Sequence, residues 1–262
     1  MALSSPDLNV MVKAAEKAAR SLNRDFGEVE QLQVSRKGPA DFVTAADKRA
    51  EKVIFDELKY ARPTYGFLME EGGEVKGTAE ARFIIDPLDG TTNFLHGIPQ
   101  WAISIALEEK GEVTVGVVYD PIKDELFQAV KGQGAFLRRK RLRVSGRNSM
   151  DMAIIGTGAP RRALKNHEQF FKEQRAVWDT GASLRRLGAA ALDLVYVAAG
   201  RYEGFWERNL NQWDVAAGLL ILKEAGGFAC DIDSDRNDPF QTGNVLVGNE
   251  EVYSTLKKVL RP

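Results

Sequence analysis

The chain is poor in the residues on which many active sites depend. Among its 262 residues there are two histidines, His96 and His167, and a single cysteine, Cys230. One cysteine cannot form an internal disulfide, which favours a reducing compartment. Neither histidine lies in an HExxH pattern, so a zinc hydrolase or a Ser-His-Asp hydrolase is hard to build. Chemistry in this chain would rest on carboxylates and hydroxyls.

Several loop motifs and long apolar runs are also missing. The chain contains no GxGxxG, GxxxxGK[ST] or GxSxG, which leaves nucleotide-binding loops and the esterase nucleophile turn unsupported. The apolar run at 215–222 is far shorter than the roughly 20 residues that span a bilayer. The first 20 residues lack the apolar core of a signal peptide. A net charge of −1 gives no global reason to expect nucleic acid or membrane as partner. We expect a soluble, cytoplasmic protein.

The first half of the chain predicts two helices followed by an antiparallel sheet. Helical periodicity covers residues 6–22 and 44–60. Alternating or apolar runs that favour strands occupy 65–69, 82–85, 102–108, 113–119, 125–130 and 134–137. The pair at 102–108 and 113–119 is separated by Lys110 and Gly111, which is typical of a hairpin.

The second half predicts short strands that alternate with helices. The strands are expected at 153–155, 204–206 and 244–247, and the helices at 163–176, 188–199, 212–225 and 250–260. Between the halves lies a basic cluster, formed by Arg138, Arg139, Lys140, Arg141 and Arg143. Such charges usually belong to a solvated turn and edge strand, and nucleic-acid binding is the alternative.

Two aspartates and a glycine follow the apolar strand predicted at 82–85, in the stretch DPLDGTT. Pro87 holds Asp86 extended, and Gly90 permits a turn that most residues resist. Both carboxylates and the Leu88 carbonyl could then approach one point, beside a short helix that begins at the threonines. A helix N-terminus attracts an anion, whereas two carboxylates beside it repel the same anion unless cations lie between. Hard ions such as Mg²⁺ prefer these oxygen ligands. An aspartate-rich capping turn explains the same residues.

Two further acidic sites accompany this stretch. FLMEEGG places Glu70 and Glu71 at the end of a predicted strand, and WDVAAG places Asp214 at the start of an apolar helix. Alone, the first is ordinary surface charge and the second is ordinary helix capping. The presence of all three acidic stretches in one chain is harder to explain by surface charge and helix capping.

DPLDGTTNF, the acidic pair in FLMEEGG, and WDVAAG with its apolar helix resemble the bacterial branch of the inositol monophosphatase family. Members are Mg²⁺-dependent, lithium-sensitive phosphatases. The resemblance extends over nearly the whole chain, including KGPADFVTAAD and LGAAALDLVYVAAGRYEGFWE. It implies an α/β fold, a five-layer α-β-α-β-α sandwich in one domain over 1–262. Its antiparallel half would cover about 1–137 and its alternating half about 138–262. Homodimers are common in the family.

The resemblance also implies the roles of individual residues. The metal site would hold two or three Mg²⁺ ions through Glu70, Asp86, Asp89, Asp214 and the carbonyl of Leu88. Glu70, Asp89 and Thr91 would be catalytic, with Thr91 orienting the attacking water. Substrate would be bound by Gly90, Thr91, Gly188, Ala189, Ala190, Glu207 and Asp214. Lys37 and Asp47 would lie near the site, and Asp47 would touch an additional metal through water. Glu71 and Thr92 would be neighbouring supports, and His96 and Cys230 structural.

The resemblance is imperfect near the expected alcohol pocket and beside the acidic pair. Gly72 and Gly73 follow the acids where the family often has serine, and RNLNQW separates Glu207 from Asp214. The expected reaction is hydrolysis of a sugar-alcohol phosphate, foremost myo-inositol monophosphate, by in-line attack of water. Alternatives are a fructose-1,6-bisphosphatase, a histidinol-phosphatase, a nucleotide 3′-phosphatase, or a regulatory protein that binds the transcription machinery.

Overall fold

Helices and sheets alternate in five layers. The computed structural model describes residues 3, 5–28, 34–38, 41–159 and 167–261, apart from the side chains of 34–38 and 41–44. Its helices are α1 (Pro6–Phe26), α2 (Ala45–Ala61), α3 (Thr91–Leu95), α4 (His167–Trp178), α5 (Ala190–Ala198), α6 (Gln212–Glu224), α7 (Pro239–Thr242) and α8 (Glu250–Leu260). Its strands are β1 (Val34–Gly38), β2 (Asp41–Thr44), β3 (Gly66–Met69), β4 (Gly73–Val75), β5 (Ala81–Asp89), β6 (Ala102–Glu109), β7 (Glu112–Asp120), β8 (Glu125–Val130), β9 (Gly134–Leu137), β10 (Lys140–Arg141), β11 (Ile154–Thr157), β12 (Ser183–Arg185), β13 (Gly204–Glu207), β14 (Phe228–Asp231) and β15 (Val245–Gly248).

Two large sheets form the second and fourth layers. One has the strand order β10-β9-β8-β7-β6-β5-β3-β4, and the other has the order β12-β11-β13-β15-β14. Helices α1 and α2 cover the outer face of the first sheet, α5 and α6 lie between the sheets, and α4 and α8 close the other side. This arrangement confirms the predicted α-β-α-β-α sandwich. None of the helices in the described part of the chain combines the length and apolar character that crossing a bilayer requires.

The eight-stranded sheet differs from the prediction in one pairing. Its neighbours run antiparallel except β3 and β5, which are parallel, with Met69 level with Ile85. Strand β4, which the sequence pattern did not predict, pairs with β3 at the edge and lets the chain return to begin β5 in the same direction. Parallel pairing brings the carboxyl ends of β3 and β5 to the same edge of the sheet, which is where Glu70 and Asp86 lie.

The two middle helices are mostly apolar around their circumference because a sheet lies on each side of them. All nine residues of α5 are buried, and so is the run 215–222 in α6. Gly116 of β7 allows α6 to approach closely, since a Cβ at that position would lie 2.9 Å from the carbonyl oxygen of Ala217. Close packing on β7 therefore fixes the distance of α6 from the eight-stranded sheet, and with it the position of Asp214 in the first turn of α6.

Candidate active site

The carboxylates of the first half meet at the ends of β3 and β5. The backbone N–H of Glu70 donates to the Ile85 carbonyl at 3.2 Å, which continues the parallel ladder by one residue. The side chain of Glu70 then shares a hydrogen bond with Asp86. Two acids that are distant in sequence are thus direct neighbours because their strands are parallel.

The stretch DPLD is the end of strand β5, where the sequence pattern predicted a turn after the strand. Asp86 is level with Ser104 of β6 and Asp89 is level with Ala102, so the strand carries one extra residue between them. This is a β-bulge, and it accommodates Pro87, which has no N–H to donate to a regular ladder. Asp86 Oδ1 accepts a hydrogen bond from the Leu88 N–H at 2.9 Å. The bulge therefore aims the carboxylate of Asp86 along its own backbone.

The predicted turn lies at Gly90, directly after the last residue of β5. Its φ of +96° lies in the left-handed region, and a Cβ there would lie 2.9 Å from the carbonyl oxygen of Gln100. The short helix α3 follows, as predicted, and the hydroxyl of Thr91 donates to the Leu88 carbonyl at 3.0 Å. Only glycine fits this turn without strain, and it places Thr91 beside the two aspartates.

The second half contributes carboxylate partners from α5 and α6. Asp89 Oδ2 accepts a hydrogen bond from the Ala191 N–H at 2.7 Å, in the first turn of α5. Asp214 Oδ2 accepts from the Asn211 N–H at 2.6 Å, which forms a capping box at the start of α6. The capping interpretation of Asp214 is therefore correct, and it coexists with a position among the other acids.

Electrostatic coupling joins four carboxyl groups into one cluster, which we call the acidic cluster: Glu70, Asp86, Asp89 and Asp214. Burial and the negative charge of Asp214 raise the pKa of Glu70 to about 8. Burial raises the pKa of Asp86 well above its usual range, and Glu70 adds to the effect. The pKa of Asp89 is also raised, by desolvation and then by Asp214. Without a cation, such a cluster retains protons to relieve its repulsion.

The acidic cluster fits a hard cation by the chemistry of its donor atoms. Within the described residues, no three acidic, histidine or cysteine side chains are arranged to hold one metal ion as they stand. The carboxylates of Asp86, Asp89 and Asp214 are turned towards backbone N–H groups instead. All the donors are oxygen atoms, and their negative charges repel one another. Hard cations prefer such oxygen donors.

The residues expected to bind substrate lie around this cluster. Ala189 and Ala190 are buried at the start of α5, and Gly188 before them has a φ of +80°. The amide of Asn93 in α3 donates to the Leu187 carbonyl at 2.8 Å, which ties α3 to this segment. Glu207 ends β13 and contributes to the raised pKa of Asp89, so its carboxylate lies near that aspartate.

The supporting residues are only partly described. The backbone of Lys37 lies in β1, but its side chain is outside the described part of the structure. Asp47, in the first turn of α2, is 3% exposed and contributes to the raised pKa of Glu70. The N–H of Glu71 donates to Glu51 at 2.8 Å. Thr92 is exposed in α3, and His96 caps the end of that helix. Cys230 is buried in β14.

Sequence reasoning missed one acid near the site, Asp193. It is 1% exposed in α5, and burial raises the pKa of its carboxyl, helped by the charges of Glu207 and Asp89. A single aspartate inside the apolar stretch AAALDLVYVAA was the available sign, since an acid is rarely buried without a reason.

Comparison with known proteins identifies the relatives of this chain. The model of the inositol monophosphatase family matches residues 4–261. Inositol-1-monophosphatase of Rhizobium meliloti (strain 1021) is 55% identical over 255 residues, which are 97% of this chain and 96% of the relative. Nus factor SuhB of Escherichia coli (strain K12) is 42% identical over 257 residues, which are 98% and 96% of the two chains.

Solved structures show the same architecture. Extragenic suppressor protein suhB from Bartonella henselae is 54% identical, with a TM-score of 0.94 and 98% of each chain covered. Inositol monophosphatase from Anabaena (Nostoc) sp. PCC 7120 is 34% identical, with a TM-score of 0.84, and 97% of this chain and 94% of the other are covered.

Proposed function

The chain belongs to the inositol monophosphatase family, and on that basis we propose that it hydrolyses a polyol phosphate monoester, foremost myo-inositol monophosphate. The observation that supports this most strongly is the acidic cluster, whose four coupled carboxyl groups lie beside the first turns of α3 and α5. An anionic ester can approach such a pocket only when cations offset the carboxylates.

We assign the metal site to the acidic cluster together with the Leu88 carbonyl. These residues would hold two or three Mg²⁺ ions, with Asp47 reaching a further ion through water. Bound Mg²⁺ offsets the charge of a phosphate dianion and activates water as a nucleophile. The buried, mutually repelling carboxylates supply the negative charge that retains the ions.

Thr91 has a defined hydrogen-bonding role in this proposal. Its hydroxyl donates its only hydrogen to the Leu88 carbonyl at 3.0 Å, so towards a water molecule it can act only as an acceptor. The water would therefore donate a hydrogen to Thr91, which leaves a lone pair of the water oxygen free to point towards phosphorus. Water then attacks phosphorus in line and gives up a proton as the bond from phosphorus to the alcohol oxygen breaks. The departing alkoxide takes up one proton, so the protons balance and no covalent enzyme intermediate forms.

Phosphate and alcohol would be held by different parts of the pocket. The backbone N–H groups of Gly90 and Thr91 would donate to phosphate oxygens. The alcohol would lie against Gly188, Ala189 and Ala190, with its hydroxyls donating to Glu207 and Asp214. Lys37 would lie close enough to support the phosphate side.

A panel of phosphate esters tests this proposal. The purified protein is assayed for phosphate release from myo-inositol 1-phosphate, fructose 1,6-bisphosphate, histidinol phosphate and a nucleotide 3′-phosphate, with Mg²⁺, without it, and with added Li⁺. We expect Mg²⁺-dependent, Li⁺-inhibited hydrolysis that is fastest on the inositol ester. Faster turnover of another ester would reassign the substrate, and inertness on every ester with Mg²⁺ would refute the proposal.

The relatives named Nus factor SuhB support a second proposal, that this chain also binds the transcription machinery. The basic cluster at 138–143 is the candidate surface, since its five basic side chains are all exposed. Retention of the purified protein on immobilised RNA polymerase, measured beside the ester assays, separates the two functions. Such binding is compatible with an intact acidic cluster.

We also propose that the chain is one domain over 1–262 and forms a cytoplasmic homodimer. The basis is family membership and the continuous five-layer sandwich. Light scattering during gel filtration measures the mass directly. A particle of twice the 29.0 kDa chain mass is expected, and a monomer at micromolar concentration would contradict the dimer.

A further inference from the structure

A small cavity of about 20 Å³ lies beside Glu207, at the end of β13. Its lining includes Gly158, Phe170, Glu173, Glu207 and Arg208, which come from three separate parts of the second half. Glu207 also influences the carboxyl groups of Asp89 and Asp193. The carboxylate of Glu207 therefore borders this cavity and also lies near Asp89 and Asp193.

Gly158 forms the surface on which the Glu207 carboxylate rests. Strands β11 and β13 are parallel neighbours with Thr157 level with Trp206, so the next residue of each strand lies side by side. A Cβ on Gly158 would overlap the carboxyl carbon and both carboxylate oxygens of Glu207. The φ of Gly158 is not in the left-handed region. Glycine is therefore required here for space, and the group that uses the space is the carboxylate.

Arg208, the residue after Glu207, is held by two acids from other elements. Its Nε donates to Glu173 Oε1 of α4 at 2.9 Å, and its Nη1 donates to Asp233 Oδ2, beyond β14, at 2.8 Å. Glu173 is 7% exposed and also accepts from Gln169 at 3.1 Å. Two acids thus bind one guanidinium group, and an ion pair that is largely buried is costly to separate, so the arrangement resists movement. The backbone that carries Glu207 is thereby fixed to α4 and to the segment after β14.

We propose that Gly158 and the Glu173–Arg208 ion pair are positioning residues that select esters of hydroxyl-bearing alcohols. They act through Glu207, which they hold in place to accept a hydrogen bond from a substrate hydroxyl. An ester whose leaving group has no hydroxyl gains nothing from that hydrogen bond and should be insensitive to both positions. This inference rests on the proposed phosphatase activity and specifies how its substrate class is chosen.

The expected effects follow from the cost of misplacing one charged hydrogen-bond acceptor. Loss of a hydrogen bond to a charged group weakens recognition by about 10- to 100-fold. Gly158→Ala forces the flexible end of Glu207 aside, so it should reach this range with little harm to the fold. Glu173→Gln weakens the ion pair with Arg208 and leaves the Glu207 carboxylate itself unchanged. We expect recognition of the substrate to weaken by roughly threefold to tenfold.

The test compares kcat and KM for myo-inositol 1-phosphate and p-nitrophenyl phosphate, both with Mg²⁺. Gly158→Ala and Glu173→Gln should raise KM for the inositol ester and leave kcat/KM for the aryl ester within about twofold of wild type. Gly156→Ala is the matched control on β11, because a Cβ there would meet the rings of Tyr202 and Phe205 at 3.0–3.2 Å instead of Glu207. It should lower thermal stability without changing the ratio of the two activities.

A double-mutant cycle separates positioning from general damage. Glu207→Gln alone should lower the activity ratio, and adding Gly158→Ala to it should change the ratio little further, because the group that glycine accommodates has lost its function. Additive effects, or equal losses on both esters in Gly158→Ala, would overturn the inference. Failure of the wild-type protein to hydrolyse either ester would instead refute the proposed function on which the inference rests.

Discussion

The eight-stranded and five-stranded sheets both end at the candidate active site, but they support different groups there. The first sheet places Glu70, Asp86 and Asp89 on two adjacent strand ends, fixed by parallel pairing and by a bulge. The second sheet places Glu207 on β13, next to a cavity and an ion pair with α4. In the proposed function, the first set would hold metal ions and phosphate, and the second would bind the alcohol. Rate and selectivity should therefore respond to different mutations.

The largest expected effect is at the metal-facing side, in Asp89→Asn. The amide oxygen can still accept from the Ala191 N–H, and a like charge is removed from a buried cluster, so the variant should fold normally. Loss of a metal carboxylate should lower Mg²⁺-dependent kcat/KM by about 10³-fold or more. Phosphate release and thermal unfolding measure the two properties, and Asp214→Asn should behave in the same way.

Asp56→Asn provides the matched control for this change. Asp56 is exposed and pairs with Lys52 on the surface of α2, so its removal should alter turnover by less than about twofold. Near-normal hydrolysis by purified Asp89→Asn would contradict the assignment of the acidic cluster as the metal site.

The second prediction compares how strongly Mg²⁺ stabilises variants on the two sheets. Mg²⁺ at about 100 times its dissociation constant should stabilise the folded protein by about 2.7 kcal/mol, which corresponds to roughly 5 to 10 °C in Tm. Asp89→Asn should lose most of this stabilisation, whereas Glu207→Gln should keep it because Glu207 is proposed to bind the alcohol and not the metal ions. Differential scanning fluorimetry with Mg²⁺ and with EDTA makes the comparison. Equal shifts in the wild type and in Asp89→Asn would place the ions elsewhere.

Much of the metal-facing side was predictable because local residue types encode it. Pro87, Gly90 and their flanking aspartates restrict the backbone within one short stretch, so the short helix after Gly90 was correctly predicted. The hairpin of β6 and β7 and the bounds of β8, β9 and α8 followed from alternation, turn residues and helical period. The extension of β5 through Asp89 was missed because a proline normally argues against a strand, and here a bulge accommodates it.

The remainder depends on contacts that a single sequence does not display. The parallel pairing of β3 with β5 depends on the brief edge strand β4, which has three residues. Strands β12 and β14 are three and four residues long and carry too little pattern to be recognised. The roles of Gly158 and Asp193 exist only once β11, β13 and α5 are packed together. Pairing and packing, rather than local preference, determine these features.

The packing of the two sheets through α6 gives a third, intermediate prediction. Gly116→Ala places a Cβ 2.9 Å from the Ala217 carbonyl oxygen and 3.2 Å from its Cα, and backbone atoms cannot move aside as a side chain can. The strain should lower the free energy of unfolding by about 1–3 kcal/mol and displace α6, which carries Asp214.

Urea denaturation measures the stability of this variant, and phosphate release measures the displacement of Asp214. Gly146→Ala is the control, since a Cβ at Gly146 meets no atom within 4 Å and its φ lies outside the left-handed region. It should be neutral or slightly stabilising. If Gly116→Ala is as stable as the Gly146 variant, α6 does not require close contact with β7.

The smallest expected effect concerns the basic cluster, which belongs to neither side of the site. Within the described residues, Arg138 is paired with Asp124 and Arg141 lies over Phe136, whereas Arg139 and Lys140 make no ion pair. Arg139→Glu with Lys140→Glu should change stability by less than about 0.5 kcal/mol and hydrolysis by less than about twofold. If this surface binds the transcription machinery, the same double variant should lose retention on RNA polymerase, because charge reversal removes the electrostatic attraction. Unchanged retention would show that the binding surface lies elsewhere on the protein. Reduced hydrolysis would show that the basic cluster influences the acidic cluster.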